Sequence, residues 1–191
     1  MTNKQLIKLS SPAVPDIYLQ EISIDDASQT YVDWLNDPKV NQYLETRFYH
    51  QDLAAVIDFI NGIMANPNEH LFTIRLAAND RHIGNIKVGG IKPVHLIGDV
   101  SLFIGEKSCW GKGYAQQAIE LISRYGFESL KLRKLCAGAY KPNIGSTKAF
   151  LKAGYQKDGI LKDHYLLDGK PCDLVQVGLF EESLSLLPML N

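Results

Sequence analysis

Residue types and spacing first suggest a chemistry at Cys109-Trp110-Gly111-Lys112-Gly113-Tyr114-Ala115. This stretch stands between a strand candidate and a helix candidate. The first N–H groups of a helix have no intrahelical partner, and the helix dipole puts positive potential there. Gly111 and Gly113 leave the backbone bare, so a phosphate or pyrophosphate can reach those amides. Lys112 adds a cation. The competing explanation is a tight strand-to-helix turn that merely needs positive φ. The stretch is not a Walker A loop, which needs GxxxxGK[ST]. It is not a dinucleotide GxGxxG either, because the third glycine would fall at Gln116, and the usual acidic partner downstream is missing. What remains is a phosphate-bearing ligand held differently from NAD or ATP.

The elements that must position this turn follow from periodicity. Residues 113–130 read as a helix with Ala118, Leu121, Ile122, Tyr125 and Phe127 apolar. Before it, residues 71–77, 82–91 and 95–104 read as three strands joined by short polar turns, an antiparallel meander. After it come a strand at 135–140, a helix at 143–153 with Gly154 as its C-cap glycine, and strands at 155–161 and 174–180 around Asp168-Gly169. Upstream, residues 17–22 read as a strand. Ser23 with Asp26 resembles a helix start, and residues 25–36 carry Ala27, Tyr31, Trp34 and Leu35 at helical spacing. Asp37-Pro38 breaks that helix. A second helix spans 51–64, with Leu53, Val56, Ile57, Ile60 and Met64 on one stripe, and Asn66-Pro67-Asn68 is a turn. The order β α α β β β α β α β β indicates a mixed α/β domain with a largely antiparallel sheet.

Composition bounds the function. The chain has 191 residues, 20 Lys+Arg against 21 Asp+Glu, and 46% hydrophobic residues. That describes one folded domain rather than a disordered chain. Near-neutral charge argues against a nucleic-acid partner, which normally demands a strongly basic domain. Cys109, Cys136 and Cys172 are widely spaced, with no CxxC and no zinc-ligand spacing. They read as free thiols of a reducing cytoplasm. The first fifteen residues, polar with two prolines, read as a loosely ordered leader without a secretory pattern. No stretch approaches the roughly 20 apolar residues of a membrane span. The expectation is a single cytoplasmic domain over 1–191 with its core at about 17–180.

At this point the sequence resembles the GNAT N-acetyltransferases. Gly113-Tyr114-Ala115 opening a helix after a meander is similar to the end of their acetyl-CoA pyrophosphate loop, Gln/Arg-x-x-Gly-x-Gly/Ala. Trp110 departs from the Gln/Arg position and resembles the RimJ/RimL-type branch. Trp34-Leu35-Asn36-Asp37-Pro38-Lys39-Val40, and Asn143-x-x-Ser146 ahead of Ala153-Gly154-Tyr155, agree with that branch. The resemblance covers about residues 17–180. It implies a GNAT-like, largely antiparallel sheet whose central parallel strand pair splays apart, with flanking helices.

The resemblance also implies roles. Leu102, Phe103 and Ile104 would offer backbone groups to the pantetheine arm as an added strand pairs with an edge. The amides of Trp110, Gly111, Lys112, Gly113, Tyr114 and Ala115 would hold the pyrophosphate. Asn143 would contact cofactor or cap its helix, and Phe150 and Lys152 would neighbour the CoA tail, with Phe150 equally readable as core. The amine acceptor must lose a proton and the departing thiolate wants one. Many relatives use a tyrosine acid seven residues after the asparagine; here that place is Phe150, which has no proton to give. Ser146 is the substitute and Tyr140 the alternative. Asp99 stands where many relatives have a glutamate, so it leads as base; His82, His95 and His164 are further candidates. A carboxylate paired with Lys or Arg is the plain alternative for Asp99, and Asp173 is expected to be structural.

The implied function is acetyl transfer from acetyl-CoA to a primary amine: a protein N-terminus, an amino sugar, a polyamine or another small amine. The competing function is a non-catalytic acyl-CoA-binding or sensor domain on the same scaffold. The acceptor would be chosen by the loop at 43–50, where Thr46, Arg47 and Tyr49 could line a polar pocket, and by the turns at Lys92-Pro93 and 163–170. The apolar tail 184–190 could pack on the body or on a second subunit, which leaves a homodimer open.

Overall fold

The structure, a computed structural model, describes residues 6–191. Eight strands form one sheet: β1 (Lys8–Ser11), β2 (Val14–Glu21), β3 (His70–Leu76), β4 (His82–Lys92), β5 (Ile97–Ile104), β6 (Lys134–Tyr140), β7 (Gln156–Leu167) and β8 (Lys170–Phe180). Their spatial order is β1-β2-β3-β4-β5-β6-β8-β7. The helices are α1 (Gln29–Asn36), α2 (Pro38–Asn41), α3 (Leu53–Ala65), α4 (Tyr114–Glu128) and α5 (Ile144–Lys152).

Neighbouring strands are antiparallel except β5 and β6, which are joined through α4 and run parallel. That pair is brief. It registers Ile97 with Lys134, Gly98 with Leu135 and Asp99 with Cys136, and stops. Beyond Asp99, β5 keeps its ladder with β4 as far as Ile104 opposite Gly84, while β6 keeps its ladder with β8 as far as Tyr140 opposite Leu174. The two strands therefore part, and the β6-facing edge of β5 is open from Val100 onward.

Apolar faces lie on both sides of the sheet. One core packs α4 and α5 against the central strands through the fully buried Ile119, Leu121 and Ile122 and through Phe150. The other packs α1 and α3 on the opposite face through Tyr31, Trp34, Leu35, Val56 and Ile60. Truncating any one of the buried α4 side chains to Ala would cost about 2–5 kcal/mol. The second core also explains Gly105: a Cβ there would sit 2.1 Å from the Trp34 ring, so only glycine lets the aromatic ring close over the end of β5.

Three expectations need correction. The leader expected over 1–15 is strand from Lys8 onward, because Lys8 and Leu9 find ladder partners in Gln20 and Leu19; residues 1–5 lie outside the described residues. The helix expected over 25–36 is broken. Ser23 and Asp26 do close a capping box, but on a single 3-10 turn (Ile24–Asp26), and Ser28 then caps α1 by accepting from the Tyr31 amide at 3.3 Å. The last two strands are longer than expected and meet at Asp168-Gly169, both in the left-handed region with φ 50 and 75.

The apolar tail packs on the body. Arg124 on α4 donates to the carbonyls of Leu184 and Leu187, both at 3.2 Å, and Leu187 is buried. Among the described residues no helix is long and apolar enough to cross a membrane.

Candidate active site

The parting of β5 and β6 opens a cavity of about 460 Å³. One wall is the end of β5, from Leu102 to Ile104. A second is the turn before α4, and a third is the first turns of α5. Residues of α2 and the segment after it, including Tyr43 and Leu44, close a fourth side.

The turn has the geometry its glycines permit. Gly111 and Gly113 have φ of +75 and +85, and a Cβ on either would meet nothing within 4 Å, so the space above them is clear. Gly113 occupies the N-cap position of α4 in the left-handed region and contributes no side-chain cap. The amides of the helix's first turn are left for an outside acceptor. Trp110, in the place of the familiar Gln/Arg, donates from Nε1 to the Ile104 carbonyl at 2.8 Å. The indole thus ties the turn to the last residue of β5 and fixes the angle between these two walls. It also engages the Ile104 carbonyl within the chain.

Helix α5 presents one face to the cavity. Asn143, Ser146, Ala149 and Lys152, spaced by three, all line it. Asn143 combines its two expected roles: Oδ1 accepts from the Ser146 amide at 3.2 Å, capping α5, and the residue borders the cavity. Ser146 follows in the first turn with its side chain on the same face.

The cations around the cavity match expectation only in Lys152. Lys112 does not line it, whereas Lys39, Lys148 and Lys152 do. Lys39 comes from a distant part of the chain, and Lys148 was not singled out. Gly145 and Gln116 are further lining residues to which the sequence reading gave no binding role. The three-residue period from Asn143 would have disclosed Ala149. Phe150 is corrected outright: it is 2% exposed, packs edge-on to Tyr155 at 5.0 Å in the main core, and does not reach the cavity.

Two catalytic candidates lie off the cavity lining. Asp99 stands at the last parallel pair, four residues before Phe103, or about 13 Å along the strand. Its carboxyl is raised above the ordinary aspartate range, first by desolvation against the sheet and also by Glu69, with Lys92 and Lys87 opposing. It faces the backbone of Gly90. Tyr140, at the end of β6, is buried. Its hydroxyl donates to Glu45 Oε1 at 2.8 Å and accepts from Arg47 at 2.9 Å. Its ring lies 6.0 Å from that of Tyr43, which does line the cavity.

The histidines are placed elsewhere. His82 sits edge-on to Trp34 at 5.1 Å, with Nε2 at hydrogen-bond distance from Gly84 O and Asn85 Oδ1; burial lowers its pKa. His164 stacks on Tyr165 in the β7–β8 hairpin, and His95 lies in the exposed turn before β5. Asp173 pairs with Lys141 at 2.9 Å and Lys162 at 3.0 Å and accepts from the Asp163 amide, a structural role.

An open strand edge, an uncapped helix N-terminus with bare glycines and three lysines border one cavity. They fit a ligand that is amide-rich at one end and phosphate-rich at the other. Comparison with known proteins agrees. The family model described as "Acetyltransferase (GNAT) domain" matches residues 16–156. An uncharacterized N-acetyltransferase, p20, of Bacillus licheniformis is 27% identical over 165 residues, covering 85% of this chain and 92% of that protein. The probable N-acetyltransferase YjcK of Bacillus subtilis is 35% identical over 104 residues, 53% of this chain and 56% of that one. In fold, the spermidine N-acetyltransferase of Vibrio cholerae in complex with CoA and spermine superposes with TM-score 0.79 at 17% identity, covering 89% of this chain and 98% of that one. Mycobacterium smegmatis RimJ in complex with CoA-disulfide gives TM-score 0.78 at 17% identity, covering 94% and 88%. The chain belongs to the GNAT acetyltransferase family and is an N-acetyltransferase whose cosubstrate is acetyl-CoA.

Proposed function

We propose that this enzyme moves the acetyl group of acetyl-CoA to a primary amine by direct attack within a ternary complex. The acceptor is a small amine or a protein N-terminus. The observation that carries this reading is the meeting of the open β5 edge with the uncapped, glycine-led N-terminus of α4 in one cavity. Acetyl-CoA supplies an activated acyl group on a good leaving thiolate. Everything else falls to the chain.

The amides of Gly113 to Ala115 would hold the pyrophosphate, helped by the dipole of α4 and by Lys148 and Lys152. Leu102 and Phe103 would pair with the pantetheine amides along the open edge. That alignment directs the acyl end toward the point where β5 and β6 part. Ser146 would donate a hydrogen bond to the departing sulfur. Asp99 would take a proton from the bound acceptor ammonium, leaving the neutral amine to attack the thioester carbonyl, and its raised pKa suits a base. Its distance along β5 calls for a bridging water, or for an acceptor that reaches down the sheet.

Two-substrate kinetics test the ternary-complex step. Varying acetyl-CoA and a primary amine should give intersecting reciprocal plots, with no acetylated protein after incubation with acetyl-CoA alone. Parallel plots with a stable acyl-protein would overturn direct attack. They would bring the half-buried Cys136 forward as a nucleophile.

A further inference from the structure

Resting on the acetyltransferase reading of the cavity, we propose that Arg47 is a specificity-determining residue for the acceptor. Its guanidinium fills, from within the chain, the place where a second ammonium group of a di- or polycationic acceptor would be held. The enzyme thereby selects amines that carry a single positive charge.

The surroundings of Arg47 are those of a cation-binding box. Its guanidinium carbon lies 5.0 Å from the centre of the Tyr140 ring and 4.2 Å from that of Phe48. One terminal nitrogen donates to the Tyr140 hydroxyl at 2.9 Å and to the Leu166 carbonyl at 3.3 Å. The other donates to the Leu44 carbonyl at 2.9 Å and stands 3.7 Å from Glu45 Oε1. A carboxylate, a phenol, two carbonyls and two aromatic faces converge there. An ammonium group presents only donors and a positive charge, and it would ask for the same partners. The Arg47 side chain is only 12% exposed, while Glu45 and Phe48 beside it stay open to solvent, so the resident cation is held against the body with one side of the box reachable from outside.

The box adjoins the cavity. Leu44 and Tyr43 line the cavity, and Tyr43 is in ring contact with Tyr140. An acceptor entering between the 43–50 segment and the β7–β8 hairpin would therefore meet the box where it borders the cavity. The guanidinium is a permanent cation. A second ammonium arriving there meets both a filled site and a like charge. An alkyl or neutral polar group does not.

The test uses the full-length protein with and without bound CoA. Calorimetric titration measures binding of 1,5-diaminopentane and of n-pentylamine to wild type, Arg47→Ala and Arg47→Lys. Arg47→Ala should bind the diamine about tenfold more tightly relative to the monoamine than wild type does, the size of one recovered cation–π contact and ion pair. Arg47→Lys keeps the charge and should behave as wild type. Adding Glu45→Gln to Arg47→Ala should remove the gain. In turnover, the diamine-to-monoamine ratio of kcat/KM should shift by the same factor while the KM for acetyl-CoA is unchanged. An unchanged preference in Arg47→Ala, with its thermal unfolding still cooperative, would overturn the proposal. So would a wild type that already binds the diamine more tightly than Arg47→Ala does. Failure to bind CoA would instead refute the cofactor reading, and the titrations without CoA would still decide the role of Arg47.

Discussion

Substitution of Gly113 separates the phosphate-binding role of the turn from its structural role. A Cβ at Gly113 finds nothing within 4 Å, so the first side-chain atom displaces no neighbour. The folding cost is confined to holding an L-residue at φ +85, about 1–2 kcal/mol. For a chain of this length that lowers Tm by roughly 2–8 °C. Gly113→Ala therefore reports strain alone. It should fold, melt a few degrees lower, and bind acetyl-CoA within about tenfold of wild type. Gly113→Glu adds a carboxylate about 5 Å from the pyrophosphate, where repulsion at an effective dielectric of 20 amounts to about 3 kcal/mol per unit charge. That is at least a hundredfold in Kd. Calorimetry with acetyl-CoA gives the affinities. As a second readout, ligand at 100 times Kd stabilises wild type by about 2.7 kcal/mol, and this thermal shift should vanish in Gly113→Glu. A folded Gly113→Glu protein that binds acetyl-CoA as wild type does would refute the assignment of the turn.

Other outcomes follow from the same geometry. Ser146→Ala should lower kcat by about tenfold or more with little change in the KM for acetyl-CoA; steady-state kinetics would show it, and an unchanged kcat would pass the acid role to another hydroxyl. Asp99 must be ionised to act as base, so kcat/KM should fall as pH is lowered through its raised pKa, above the ordinary value near 4. Asp99→Asn should remove that acid limb and reduce the plateau, and an unaltered pH profile would dismiss the base. Burial pushes the Tyr31 hydroxyl up to about 12, with the Asn85 amide partly offsetting it. Folding therefore favours its neutral form: the stabilisation is complete below pH 10 and about 2–3 kcal/mol is lost as pH rises from 10 to 12. Urea unfolding across that range should show a smaller loss in Tyr31→Phe than in wild type.

What could be read in the sequence divides along physical lines. The α4 start was legible because bare glycines before an apolar-periodic run are local signals, and the α5 face because Asn143 both caps the helix and begins a three-residue period. The antiparallel meander and the β-α-β unit after it followed from short turns and one helical crossover; the place of β8 between β6 and β7 did not. β1 was missed because its four residues, followed by Pro12 and Pro15, carry too little alternation to outweigh the appearance of a leader. The hairpin of β7 and β8 was cut short because residues 162–171 face solvent and their apolar residues, Tyr165-Leu166-Leu167, run consecutively rather than alternating, so their pairing leaves no two-residue apolar period. Lys39 reaches the cavity from a helix more than 70 residues before the glycine turn, which is a tertiary fact. The same holds for Glu45, Arg47 and Tyr140, which converge from segments 93 and 95 residues apart. Phe150 shows the reverse error: a family position suggested a ligand neighbour, but the face of α5 it occupies is the one turned to the core.

The central claim is that the cavity binds acetyl-CoA so that a primary amine can take its acetyl group. The most direct measurement mixes the purified protein with acetyl-CoA and a panel of primary amines, following free CoA thiol and the mass of each amine together. The account predicts amine-dependent thiol release matched mole for mole by an amine heavier by one acetyl group, with both signals lost in Gly113→Glu. Tight binding of acetyl-CoA with no thiol release for any amine would contradict it.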